Sequence, residues 1–221
     1  PFSYYGISDE VSLKDVKWSK GGYDETELNV IYIEGDNAKK RVEHIISSLN
    51  NYLNDVNVVH GIGFCVSIDH AKFMSRMFNE NKIPSIALSS DSKDDDRATA
   101  KEKLEDGSIK FIFVVDLYNE GVDIPCIDTV MFLRPTKSLT VFLQQLGRGL
   151  RLYEGKTELT VLDFVGQANK HYNFEEKFNA LLGEHKGSVC DSIKKGFPWV
   201  PAGCYIGLEE KAKEWVLTNI K

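Results

Sequence analysis

Five consecutive residues, Phe111-Ile112-Phe113-Val114-Val115, are apolar, and a strand of that composition is stable only where both of its faces are covered. Further short apolar runs at Val58–Val66, Ser85–Leu88, Thr129–Leu133 and Leu159–Phe164 read as strands. Between them the period lengthens to that of a helix. Asp69–Asn81 places Ala71, Met74, Met77 and Phe78 on one face, and Leu139, Phe142, Leu143 and Leu146 form a second stripe. Asp94–Glu105 is a third helix, opened by Ser92 and by Asp94, Asp95 and Asp96, which favour the positive end of a helix dipole. Strands alternating with helices predict an α/β fold: a parallel sheet covered by helices on both faces, a three-layer sandwich.

The flanks are less regular. An aromatic-rich stretch, expected to be irregular, precedes a helix over Asn37–Leu53 that turns Val42, Ile45, Ile46, Leu49 and Leu53 inward. After the last strand, a helix is expected over Asn169–Leu182, then a breaker region with Gly187, Gly196, Pro198 and Pro201. A final helix carries Leu208, Ala212, Trp215 and Val216. The expected division is a linker over 1–37, a main domain over 38–182 and a C-terminal extension over 183–221. A first residue of proline is expected of a piece of a longer protein.

With 221 residues, 42% of them apolar, the chain can bury one good core. A net charge of −6 argues against wrapping duplex DNA, which needs a basic face, but not against local contact with one strand. Cys65, Cys126, Cys190 and Cys204 show no metal-ligand spacing and read as free thiols, which suits a reducing cytoplasm. No apolar run approaches the roughly 20 residues that cross a bilayer.

The chemistry concentrates in two segments. Gln144-Gln145-Leu146-Gly147-Arg148-Gly149-Leu150-Arg151 places two arginines at i and i+3 on one helix side, where forked, permanently charged donors can grip a phosphate chain. Asn119-Glu120-Gly121-Val122-Asp123-Ile124-Pro125 leaves the most apolar strand, with a glycine two residues before an aspartate. No G-x-x-x-x-G-K-[ST] loop and no acidic magnesium-binding run accompanies them.

In this strand order the segments resemble the motifs of the second RecA-like domain of superfamily 2 helicases. Gly63–Ser67 with Asp69-His70-Ala71 resembles motif IV, Val114–Pro125 motif V, and Gln144–Arg151 the Q-x-x-G-R-x-x-R of motif VI. Phe142–Arg151, with Phe132–Thr136 before it and Leu159–Gly166 after it, looks most like DEAD/DEAH-type helicases related to restriction-enzyme motor subunits, which often carry a nuclease domain.

The resemblance implies a P-loop NTPase-like, RecA-like fold. It also implies ATP with magnesium, both held mainly by a missing first RecA-like domain of the same parent chain. Arg148 and Arg151 would contact the γ-phosphate, Gly121 would admit the nucleotide, Asp123 would lie near the ribose or order the cleft, and Gln144 would order the same surface. The full-length protein would be an ATP hydrolase acting on DNA, with RNA not set aside, and this piece alone would be nearly inactive. Where relatives have threonine at the start of motif V this chain has Val115, so strand contacts are expected to shift to Ser67 and to Ser89 or Ser90.

Other readings stand beside this one. A RecA-like interaction module scaffolding a nuclease fits the acidic surface, whereas a glycosyltransferase half has no use for the arginine pair. Asp163 reads as a plain strand-end aspartate or as one that orients an arginine, and Arg134 as a loop-shaping or ligand-facing residue. His44, His60, His70, His171 and His185 read as satisfied or solvent-facing. Tyr4, Tyr5, Trp18 and Tyr23 read as packing residues, with base stacking the alternative.

Overall fold

The computed structural model describes residues 1–115, 124–136, 147, 153–183 and 187–220. Along the chain these form β1 (Phe2–Ser12), the hairpin β2 (Trp18–Ser19) and β3 (Gly22–Tyr23), α1 (Glu25–Ile33), α2 (Gly35–Tyr52), β4 (Gly61–Phe64) and α3 (Ile68–Glu80). There follow β5 (Ser85–Ala87), α4 (Asp94–Glu105), β6 (Phe111–Val114), β7 (Thr129–Phe132), β8 (Leu159–Gln167), α5 (Glu175–Leu182), α6 (Val189–Lys194), β9 (Tyr205–Leu208) and α7 (Glu210–Thr218). Seven strands make one sheet in the order β5-β6-β4-β7-β8-β1-β9. Every neighbouring pair in it is parallel, so all carboxyl ends meet at one edge.

The period of two along a strand sorts the core into two layers. From β6, Phe111 and Phe113 join the side chains of α2 and α3 on one face. Ile112 and Val114 join those of α4, α5, α6 and α7 on the other. Phe78 of α3 sets its ring edge-on to Phe111 and Phe113, at 5.4 and 4.8 Å between centroids. The neighbouring strand makes room for these rings with glycine. Gly61 and Gly63 stand opposite Phe111 and Phe113, where a Cβ would meet ring carbons at 2.2 and 2.6 Å.

The start of the chain departs from expectation. Residues 2–12 are not irregular; they form β1, inside the sheet between β8 and β9. The strand is hard to see in sequence because it buries Ser8 and Asp9, whose polar groups are satisfied from afar. Ser8 N donates to Glu209 Oε2 at 2.8 Å, and Asp9 pairs with Arg41. At the other end, β9 pairs with β1 and α7 packs on β1 and β8, so both flanks share the sheet of the middle segment.

Smaller departures have local causes. Ser92 does not cap α4; its hydroxyl accepts from Ser89 N at 3.0 Å, and Asp96 accepts from Lys93 N at 3.3 Å instead. α5 begins at Glu175 and not near Asn169, because Asn169 is engaged with the N-terminal loop. α1 was not expected; its Leu28 and Tyr32 pack on Leu13, Val16 and Val66, over the carboxyl ends of β1 and β4.

Candidate functional site

Because β6, β4 and β7 are adjacent and parallel, the segments that leave them depart side by side from one sheet edge. Their last described residues are Val115 after β6, Cys65–Ser67 after β4 and Leu133–Thr136 after β7. Gly121, Asp123, Gln144, Arg148 and Arg151 lie outside the described residues, as do the stripe of Leu139, Phe142, Leu143 and Leu146 and also His185.

Ser67 is the N-cap of α3. Its hydroxyl accepts from His70 N at 3.0 Å and donates to Asn29 Oδ1 on α1. The side chain expected to contact a strand phosphate is thus engaged twice within the fold. His70, one turn on, is fully buried and stacked on Tyr32 with ring centroids 5.0 Å apart. Its Nδ1 accepts from Val66 N at 3.2 Å, while Nε2 finds no hydrogen-bond partner among the described residues. Burial, followed by the charges of Arg41 and Arg134, holds its pKa well below the usual histidine value, so the ring is neutral. Burial also pushes the Cys65 thiol up, which removes it as a thiolate nucleophile.

Behind this edge lies a buried charge pair that periodicity did not announce. Arg41 Nε meets Asp9 Oδ2 at 2.8 Å, and Arg41 donates a second hydrogen bond to Leu133 O at 2.9 Å. Its guanidinium lies 4.1 Å from the Tyr32 ring centroid. Burial disfavours the charge on Arg41, but Asp9, Tyr32 and Cys65 together outweigh it and the pKa is raised. The signal in sequence was an arginine at i+3 from Ala38 and i−4 from Ile45, on the apolar face of α2. The pair ties α2 to β1 and to the residue that precedes Arg134.

Asp163 is likewise buried, within β8. Tyr4 donates its hydroxyl to Asp163 Oδ2, and Lys177 of α5 forms an ion pair with the same oxygen. The carboxylate for which the sequence left open a plain strand-end role or the orienting of an arginine thus holds β1, β8 and α5 together. Burial first, then Asp163, raises the Tyr4 pKa and keeps its proton on the phenol. Arg134 is buried at the end of β7.

Ser89 and Ser90 follow β5. Ser89 is half-buried with its hydroxyl accepting from Asp91 N at 3.3 Å, whereas Ser90 is exposed. Arg97 reaches back from α4 and donates to the carbonyls of Ser89 and Ser90 at 3.3 and 3.1 Å, fixing this loop. His44 is satisfied by Ser8 O at 2.9 Å and His60 by Asp128 at 3.0 Å. Among the described residues no group of three or more His, Cys, Asp or Glu is placed to hold a metal ion.

A parallel sheet with helices on both faces, whose adjacent strand ends carry the motif segments, defines a RecA-like domain of the superfamily 2 helicase type. Residues 40–153 match the helicase conserved C-terminal domain, and the chain belongs to that family. It is 26% identical over 166 residues to IRC3 of Saccharomyces cerevisiae, covering 75% of this chain and 24% of IRC3. It is 30% identical over 139 residues to the type I restriction enzyme EcoKI endonuclease subunit of Escherichia coli, covering 55% of this chain and 12% of that one. The chain thus spans a minor part of these relatives. In fold it is similar to the yeast DEAD-box splicing factor Prp28, with a TM-score of 0.57 at 15% identity over 98% of this chain and 37% of that one.

Proposed function

We propose that this chain is the second motor domain of an ATP-dependent DNA helicase or translocase, bringing Arg148 and Arg151 to ATP at the interface with a first RecA-like domain. The observation that carries this reading is the family match over residues 40–153, which spans the arginine pair and the strand ends flanking it. IRC3 bears the name of an ATP-dependent helicase, and the EcoKI relative that of an endonuclease subunit. A nuclease domain on the same parent chain fits the second name.

The reaction is in-line attack of water on the γ-phosphoryl group. Two guanidinium groups stabilise the charge that builds on the transferring oxygens. Gly121 admits the nucleotide to the backbone, while Asp123 and Gln144 order the same surface. The described residues offer no metal-binding carboxylate cluster, and magnesium is assigned with the phosphate-binding loop to the first domain. On the DNA side, Ser90 is the open serine. Ser67 serves the fold first, because its hydroxyl already has two partners.

The test is Arg151→Ala in the full-length protein. ATP turnover is expected to fall by about 10³-fold or more, the scale of an arginine finger, with thermal stability retained. Unchanged turnover removes the assignment.

A further inference from the structure

The helix α1 is apolar on more than one side. Leu28 and Tyr32 pack inward, whereas Val30, about half a turn from each, is 45% exposed. A helix that is apolar all round needs cover on its outer side as well. Val30 and Ile31 stand on a groove that the end of β1 and the start of α2 complete. Its two pockets, of about 660 and 410 Å³, share Ser12, Val30 and Ile31 and so run into one another. Val11 extends the apolar floor of the first and Val16 that of the second.

The rim of this groove is acidic. Glu10 and Glu34 border the first pocket, Asp15 and Glu27 the second, and all four are exposed. Glu10 has Lys211 of α7 at 3.6 Å, and in the wall of the first pocket Asp9 and Arg41 neutralise each other. Among the described residues that line the groove, Lys40 is the one exposed amine. Four carboxylates against one amine set a negative field over an apolar floor. The groove opens at the end of β1, which β8 separates from β7 and the strands that lead into the motif segments.

We propose that this groove docks a basic, apolar-faced segment of a partner protein, with aliphatic side chains against Val30 and Ile31 and Lys or Arg on the rim carboxylates. The rim decides among occupants. A nucleic-acid strand would bring its phosphates against like charge. A second copy docked symmetrically through α1 would set Glu27 and Glu34 of one chain against the same residues of the other. A basic segment turns these charges into attraction, and its apolar face gives α1 the cover that its outer side lacks.

The test uses the full-length protein and a fluorescein-labelled amphipathic peptide of 18 leucine and lysine residues, in roughly equal number. Its Kd is read by fluorescence anisotropy. Val30→Ser removes the exposed anchor and should raise Kd about tenfold, the scale of one valine no longer buried. Asp15→Lys with Glu34→Lys should raise it about tenfold as well, as two exposed attractions become repulsions. Glu102→Lys with Glu176→Lys makes the same charge change outside the groove and should leave Kd within about twofold of wild type. Thermal stability and ATP turnover without peptide should match wild type in every variant. The proposal is overturned by an undetectable wild-type complex, by an unchanged Kd in Val30→Ser, or by equal losses in the two charge-reversed proteins, which would mean a general attraction to an acidic chain. It is also overturned if Val30→Ser weakens single-stranded DNA binding, or if it abolishes self-association in sedimentation, since the occupant would then be nucleic acid or a second copy.

Discussion

Arg41 Nε donates to Asp9 Oδ2 across 2.8 Å, joining α2 to β1 with both side chains almost wholly shielded from solvent. Removing one partner leaves the other charge buried and uncompensated. Arg41→Met is therefore expected to lower unfolding stability by about 3–5 kcal/mol. The double variant Asp9→Leu with Arg41→Met should recover most of that loss, since an apolar pair carries no desolvation cost. Urea titration of the two variants checks this; a double variant no more stable than the single one contradicts it.

His70 predicts a pH dependence. Its folded pKa is depressed, chiefly by burial, so the unfolded chain binds the proton more readily than the native one. Stability is therefore fully present above the ordinary histidine value and is lost as pH falls from about 6.5 toward the folded value, by about 1.4 kcal/mol per pH unit. His70→Gln cannot titrate and should flatten that slope. Equal slopes in the two proteins between pH 6.5 and 5 would show that other groups set the acid limit.

Ser67 and Ser90 should separate under substitution. Ser67→Ala removes the cap of α3 and the bond to Asn29, an expected loss of about 1 kcal/mol. Ser90→Ala touches an exposed side chain and should change stability by less than about 0.5 kcal/mol, while weakening single-stranded DNA binding by the full-length protein. Thermal melts and fluorescence anisotropy read the two effects; the reverse pattern would exchange their roles.

Gly166 lies where β8 runs beside the irregular part of β1 between Ser8 and Ser12. A Cβ there would stand 2.5 Å from the carbonyl oxygen of Val11, which is backbone and cannot swing aside. Gly166→Ala is expected to cost about 1–3 kcal/mol. Gly22→Ala, which meets nothing within 4 Å, serves as the control. Matching melting temperatures would mean that the two strands part freely at this edge.

The middle of the fold was legible because its elements are locally self-consistent. α4 runs over Asp94–Glu105 as its acidic start suggested, and the apolar run at Phe111 became a strand buried on both faces. β1 was not legible, because buried Ser8 and Asp9 break the alternation and their partners, Glu209 and Arg41, lie on other elements. α1 hid for the opposite reason: Leu28, Val30, Ile31, Tyr32 and Ile33 surround the helix and leave no single stripe. At the site, the motif wording pointed to one sheet edge, and the strand order supplies that edge. The second engagement of Ser67 and the double hold on Asp163 by Tyr4 and Lys177 depend on contacts between distant elements, which no spacing rule encodes.

β1 pairs Phe2 with Leu159, so this strand waits for every element from α1 to β7 to be made before its neighbour exists. On the ribosome that strand emerges before its partner and finds its place late. Until then, its unsatisfied amides and aromatic side chains are the natural target of a chaperone.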